Sequence, residues 1–363
     1  MNKLVVLTVF MVTFQLNAQK IQFLESTFGD ESRKSSSISG GDIDNDGDID
    51  IVISNGRHWP DQNKVFLNDG NGSFISSFFL DSASTSYAAE LGDLDGDGDL
   101  DIVVGNDSRP NHLFFNKGDG TFSFEGHFGD NRSNTRNIAL DDINKDGHLD
   151  IIVINRFFVN EICINNGSGG FEEVVSFGID GEATLDIVVK DIDRDGDKDI
   201  IAANRNDQVN AIYLNDKMDF SQRITIGLDK KDTRSVAVVD LNSDGFQDII
   251  SANIRAANSI AFGDGTLNYP DEVSFGSQKD RTFALDVGDI DNDGDIDIVT
   301  ANSRGKNVVY LNTGDGTSFD EINLSTQELD TYDIQLFDLN QDGLLDVVTS
   351  NSDGLNLYFI QKN

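Results

Sequence analysis

The stretch GDIDNDGDIDIVISN, Gly41 to Asn55, places five aspartates within nine residues: Asp42, Asp44, Asp46, Asp48 and Asp50. Like charges at this density repel one another unless a cation or a set of donors meets them. Alternate residues at motif positions 1, 3 and 5 can turn their oxygens into one small volume. Gly47, at position 6, permits the sharp bend, the carbonyl of position 7 can add a ligand, and Asp50 at position 9 closes the set. Hard oxygen donors without His or Cys favour Ca²⁺ over zinc. For a single copy, the plain alternative is a polar β-turn without metal.

The motif is not single. It returns as DLDGDGDLD, DINKDGHLD, DIDRDGDKD, DLNSDGFQD, DIDNDGDID and DLNQDGLLD, beginning at Asp93, Asp142, Asp191, Asp240, Asp289 and Asp338. The first spacing is 51 residues and the next five are 49. Seven copies with glycine and both end aspartates intact weigh against the metal-free turn. In the first loop the expected ligands are Asp42, Asp44, Asp46 and Asp50, with the backbone oxygen of Asp48. The later sets are Asp93, Asp95, Asp97 and Asp101 with Asp99; Asp142, Asn144, Asp146 and Asp150 with His148; and Asp191, Asp193, Asp195 and Asp199 with Asp197. Asp240, Asn242, Asp244 and Asp248 follow with Phe246, then Asp289, Asp291, Asp293 and Asp297 with Asp295, and Asp338, Asn340, Asp342 and Asp346 with Leu344. This predicts up to seven calcium ions, with weaker binding where Asn144, Asn242 and Asn340 lower the ligand charge.

Each motif precedes a β-rich apolar run ending in asparagine, such as IVISN or IIVIN. A second apolar strand (NKVFLN, NAIYLN), a turn such as GDGTF and a looser fourth strand follow. Short alternating strands separated by Gly/Asp turns predict an all-β chain, and repeats of this length, each a four-stranded sheet, predict a seven-bladed β-propeller. The last repeat stops after its third strand, NLYFIQKN. The segment KIQFLESTFGD, Lys20 to Asp30, resembles the fourth strand of other repeats. It is expected to complete the last blade and remove an open sheet edge.

The acidic loops and GDGTF turns resemble FG-GAP/VCBS repeats, the units of integrin α-chain propellers and of many secreted bacterial proteins. The resemblance covers nearly the whole chain after residue 19. It implies a seven-bladed propeller with one Ca²⁺ per blade. It leaves function open among adhesion, carbohydrate binding and blades of polysaccharide lyases.

Residues 1–19, MNKLVVLTVFMVTFQLNAQ, read as a signal peptide: Lys3, an apolar run from Leu4 to Phe14, and a small-residue cleavage site at Ala18. The expectation is therefore a secreted or periplasmic protein, with residues 20–363 forming one propeller and no membrane insertion. The single cysteine, Cys163, forms no disulfide within the chain and is expected to be buried. A formal net charge of -37 argues against nucleic acid as a partner. A monomer is expected.

Hairpin alternation puts the acidic loops on one face of the ring. The arginines gather on the connections of the other. Arg57, Arg109, Arg156, Arg205, Arg255 and Arg304 follow second strands. Arg33, Arg132, Arg136, Arg234 and Arg281 precede innermost strands, and Arg136 and Arg234 should face the central funnel. Guanidinium forks suit carboxylate or sulfate. The alternative is that these arginines pair with loop acids such as Asp107, Asp207 and Asp232 and only hold the loops. The asparagines that end the second strands, from Asn55 to Asn351, are read as turn residues tolerant of left-handed backbone. The first such loop, NGRHWPDQNK, is three residues longer than most and holds the only tryptophan, Trp59, beside Arg57 and His58. An exposed indole there suits a sugar ring, and an indole folded over the blade edge is the alternative.

No nucleophile elbow, zinc motif or phosphate loop appears. The reading is a calcium-stabilised binding module for an acidic glycan or a protein surface. One enzymatic alternative is a uronate lyase. Arg136, Arg156 or Arg234 would neutralise the carboxylate, and His58, Tyr87 or Tyr332 would remove the α-proton. A protein-binding adhesin is the third class.

Overall fold

A computed structural model describes residues 21–362 except Asp81, Asn131 and Ser133, and the side chain of Asp30 is also not described. The expected signal peptide lies outside these residues. All regular structure among the described residues is β. No helix there is long and apolar enough to cross a membrane.

Antiparallel ladders follow the repeat. Ser86–Gly92, Asp101–Asn106, Asn111–Asn116 and Phe122–Phe128 form one four-stranded unit, innermost strand first. The acidic motif is the turn between the first two strands. The other repeats pair in the same order, two of them sharing long strands with their neighbours. The second strand of each repeat is buried along its whole length, as in Asp50–Asn55, Asp150–Asn155 and Asp199–Asn204. Its near-continuous Ile and Val explain this, because both faces of that strand are covered by neighbouring sheets.

The core lies between units rather than within them. One apolar cluster joins Ile43, Val52 and Val65 to Ala89, Ile102 and Phe114 of the next repeat. Equivalent clusters follow around the chain. The last one joins Ile51, Ile53 and Phe66 of the first repeat to Val348, Tyr358 and Ile360 of the seventh. The innermost strands contact one another in the same cyclic order, including the last with the first. The architecture is a β-propeller. The start of Gln22–Gly41 pairs with the end of Asp346–Lys362, with Gln22 opposite Lys362 and Phe28 opposite Asn356. The same strand then continues as the innermost strand of the first repeat, opposite Asp50–Asn55.

The structure corrects the reading of the asparagines. Asn55, Asn106, Asn155, Asn204, Asn253, Asn302 and Asn351 do not adopt left-handed backbone. They are buried, and four of them, Asn55, Asn106, Asn155 and Asn204, end their strands. Each side-chain oxygen accepts a hydroxyl from the innermost strand, as from Ser35 at 2.9 Å, Thr184 at 2.8 Å and Thr331 at 2.7 Å. Each backbone N–H donates to an asparagine that opens the third strand, as Asn204 does to Asn210 at 2.8 Å. The second strand is thus tied on both sides where it stops, because buried polar groups must be paired. Replacing Asn204 with Ala orphans the Thr184 hydroxyl. It should cost about 1–3 kcal/mol in a denaturant melt, whereas replacing the exposed Asp207 should leave the midpoint nearly unchanged.

Candidate functional site: an acidic face and an arginine-lined funnel

On the acidic face each loop first saturates its own backbone. Asp42 accepts the N–H groups of Asp46 and Gly47, both at 3.0 Å. Gly47 has φ +95°, where other residues are strained. Asp50 accepts from Ile43 at 3.0 Å and from Asn68, beyond the third strand, at 2.8 Å. Burial still pushes the Asp50 carboxyl up to about 6 and Asp297 to about 7. Ionised, these groups lack sufficient compensation from the protein alone.

Four loops bring three carboxylates within 4.8 Å of one another: Asp42, Asp44 and Asp50; Asp93, Asp95 and Asp101; Asp191, Asp193 and Asp199; Asp289, Asp291 and Asp297. Buried oxygens of Asp44 and Asp191 lack a hydrogen-bond partner among the described residues. The donor set is all oxygen, so these residues fit a hard divalent ion. Four acidic clusters could therefore hold a metal. The expectation of seven equivalent sites is not supported. In the other three loops the position-3 residue is an amide that donates to the position-5 carboxylate: Asn144 to Asp146 at 2.9 Å, Asn242 to Asp244 at 3.0 Å and Asn340 to Asp342 at 3.1 Å. There the amide occupies part of the role a cation would have. Nor do the position-5 aspartates of the four acidic loops, Asp46, Asp97, Asp195 and Asp293, join the clusters. Each accepts the backbone N–H of position 7, as from Asp48 at 3.1 Å and Asp197 at 2.8 Å. His148 and Phe246 make the same bond to Asp146 and Asp244, and Leu344 does so to Asp342 at 3.0 Å.

At the opposite end of the innermost strands every repeat has a register shift six residues before its motif. Such a bulge re-aims the side chain at its apex. The apex residues include Tyr87, Arg136, Leu185, Arg234, Phe283 and Tyr332. All six line one cavity of about 220 Å³, together with Arg57, His58, Arg156, Arg205 and Arg281 from the neighbouring connections. The repeated bulge is what sequence reading missed. Its signal is the seven-fold register of one position, occupied by Ser36, Tyr87, Arg136, Leu185, Arg234, Phe283 and Tyr332.

Six guanidiniums therefore share one opening. Arg136 alone among them has an acid partner among the described residues, Asp107 at 3.1 Å. Aromatic rings lie under several of the six: Arg57 stands over Tyr332 at 3.7 Å, Arg136 over Tyr87 at 4.2 Å and Arg234 over Phe283 at 4.3 Å. Rings hold cations in place without neutralising them. Burial, then the neighbouring Arg205 and Arg57, lower Arg234 to about 10. It remains a cation at neutral pH. The Nε atoms of Arg57, Arg156, Arg205, Arg234 and Arg281 are buried with no acceptor among the described residues.

The remaining expected residues lie elsewhere. Arg109, Arg255 and Arg304 are exposed and outside this cavity; they stand two or three residues past the strand-ending asparagine, whereas Arg156 and Arg205 follow it directly. Of the loop acids considered as partners, Asp232 instead accepts the N–H of Asn206 at 2.8 Å. Arg33 pairs with Glu31 and Asp61. Trp59 is 68% exposed on the loop that carries Arg57 and His58. His58 has φ +70° and its Nδ1 lies 2.9 Å from the Tyr87 hydroxyl. Burial, and then Arg57, lower the His58 pKa, so the ring is neutral near pH 7. Cys163 is buried as expected.

Beneath the arginines the channel is lined by Asp186, Asp333, Glu90 and Asp286. Three of these acids bridge adjacent innermost strands: Asp186 accepts from Val236 at 3.0 Å, Asp286 from Leu336 at 2.8 Å and Asp333 from Ile38 at 2.8 Å. Burial, then Asp333, raises Glu90 from its ordinary 4.5 to about 8. The folded chain therefore holds this proton more tightly than the unfolded one. The associated stability is full below the unfolded value and is lost as pH rises toward the folded value. Glu90→Gln should flatten the fall in melting temperature between about pH 5 and 9; an unchanged pH profile would place the titration elsewhere.

An all-β ring with four acidic clusters that could hold a metal on one face and a cationic funnel on the other defines a repeat-built β-propeller. FG-GAP-like repeats match residues 42–104, 93–153, 142–202, 191–251, 240–300 and 289–349. The chain belongs to the FG-GAP-like repeat family. No curated protein matches it. Among solved structures it is similar to BBS1N in complex with ARL6DN soaked with lead, at 11% identity and TM-score 0.59, covering 93% of this chain and 96% of that one. The mercury-soaked form of the same complex gives 13% identity, TM-score 0.60 and the same coverage, 93% and 96%. At this identity the likeness concerns the fold alone.

Proposed function

We propose that this protein is a calcium-stabilised binding module whose funnel captures an anionic ligand, and that the ligand is an acidic glycan. One observation carries the reading. Six guanidiniums line one cavity, and among the described residues only Arg136 pairs with an acid, in a chain of net charge -37. An uncompensated cationic cluster is costly, and a ligand carboxylate or sulfate would complete it. At long range the acidic protein repels such a polymer, so capture must be local and salt-sensitive. Titration calorimetry with uronate and sulfated oligosaccharides tests this. Arg136→Ala with Arg234→Ala should weaken binding at least tenfold while the calcium-dependent melt persists. Binding of neither class, or binding unaffected by the substitutions, would return the arginines to a structural role and favour a protein ligand.

The His58–Tyr87 contact supports a second reading. A neutral imidazole bonded to a phenol, beside guanidiniums, has the parts for removing a proton next to a neutralised carboxylate. In the β-elimination the C5–H bond breaks, the C4–O bond to the leaving sugar breaks, a C4=C5 double bond forms, and the leaving oxygen is protonated. Growth of ultraviolet absorbance from the unsaturated uronate, lost in His58→Ala, would favour the lyase over simple binding.

A further inference from the structure

We propose that the funnel binds its ligand end-on, taking only the terminal acidic sugar of an oligosaccharide, with the next ring held outside by Trp59. The inference rests on the anion reading and adds a geometry to it. The cavity wall draws residues from every repeat, from Arg57 through Tyr87, Arg136, Arg205, Arg234 and Phe283 to Tyr332. Such a site encircles the propeller axis and is entered along it. A polymer lying flat across the face would meet the exposed Arg109, Arg255 and Arg304 and leave the guanidiniums that line the cavity unmet.

Depth is limited by charge. The next layer down carries Asp186 and Asp333, and below it Glu90 and Asp286. Their hydrogen bonds to backbone N–H groups fix Asp186, Asp286 and Asp333 as part of the scaffold. An anionic group is attracted as far as the guanidiniums and meets only carboxyl groups, and no further cation among the described residues, beneath them. The volume agrees: about 220 Å³ is below the roughly 300–1,000 Å³ of sites that enclose a drug-sized ligand. One charged ring enters and the chain behind it stays outside.

What meets that chain is on the same loop. Trp59 lies two residues from Arg57 and exposes 68% of its surface. An exposed indole on the loop that supplies Arg57 and His58 to the cavity offers a flat apolar face to a pyranose ring. A sugar acid followed by a second sugar uses both features, whereas a free inorganic anion uses only the first.

The test uses the full chain and galacturonic acid oligomers of increasing length, with carrageenan oligosaccharides as the sulfated arm. Calorimetry should give one chain per protein. Affinity per chain should rise at least several-fold from monomer to dimer and then stay level up to polygalacturonate. Trp59→Ala should remove the gain of the dimer and leave the monomer unchanged. Arg136→Ala with Arg234→Ala should weaken every member of the series. The arm that binds identifies carboxylate or sulfate as the group recognised. Affinity per chain that climbs in proportion to length, still sensitive to both arginines, would overturn end-on capture and leave the anion reading intact. Binding insensitive to both arginines, or absent in both arms, would overturn the two together.

Discussion

Excess chelator is expected to lower the melting temperature by about 10 °C, and added calcium to restore it. Four loops hold three converging carboxylates each. With extracellular-type affinities of roughly 10⁻⁴ to 10⁻³ M, calcium near 10 mM stabilises by about 1.4–2.7 kcal/mol per site. Four sites together contribute roughly 6–11 kcal/mol if all bind only the folded state, which a chain of this size converts to a shift of that order. The loops also allow a sharper test. Asp44→Asn recreates the arrangement of the third loop, where Asn144 donates to Asp146 at 2.9 Å. That variant should gain less from calcium than the parent, yet melt higher in chelator because one repulsive charge has become a donor. A melt indifferent to chelator would remove calcium from the account of stability.

The same loops show what could be read in advance. Spacing, Gly47 and the paired end aspartates made the turn and its chemistry legible, because both depend on residues adjacent in the chain. The difference between Asp44 and Asn144 was visible as a loss of charge. That the asparagine amide would bond to the neighbouring carboxylate was not, since this depends on rotamers within the loop. The grouping of arginines on one face followed from hairpin alternation. Which of them reach the axis did not. Arg234 points inward because a bulge in the pairing with the second strand re-aims it, and bulges belong to the ladder rather than to either strand. Arg255, on a neighbouring turn of the same repeat, faces solvent, while Arg205, one position nearer its strand, lines the cavity. The buried asparagines, Asn55 and its equivalents, were misread for a similar reason. Their propensity is for turns, but a hydroxyl on one side and an amide on the other make them strand terminators here.

Removing residues 20–29 is expected to be the most damaging change of all, although it touches neither face. Those residues include Gln22 to Phe28, which pair with Lys362 to Asn356 and supply the outer strand of the last repeat. Phe28 is 3% exposed in the cluster that joins the seventh repeat to the first. Its ring meets Phe66 edge-on at 5.0 Å and Tyr358 at 6.0 Å. Losing that ring alone should cost about 3–5 kcal/mol. The deletion also strips the hydrogen-bond ladder from Leu357–Ile360 and leaves an apolar strand with an open edge, a template for pairing with a second chain. Sedimentation should show dimers or larger species, and the melt should fall further than in Phe28→Ala, which keeps the ladder. Comparing the two variants separates the contributions. If Phe28→Ala accounts for the whole loss and the truncated chain stays monomeric, the aromatic contact holds the ring closed and the strand pairing adds nothing. If truncation aggregates while Phe28→Ala does not, the ladder itself is the closure, as the continuous pairing of Gln22–Gly41 across the last and first repeats requires.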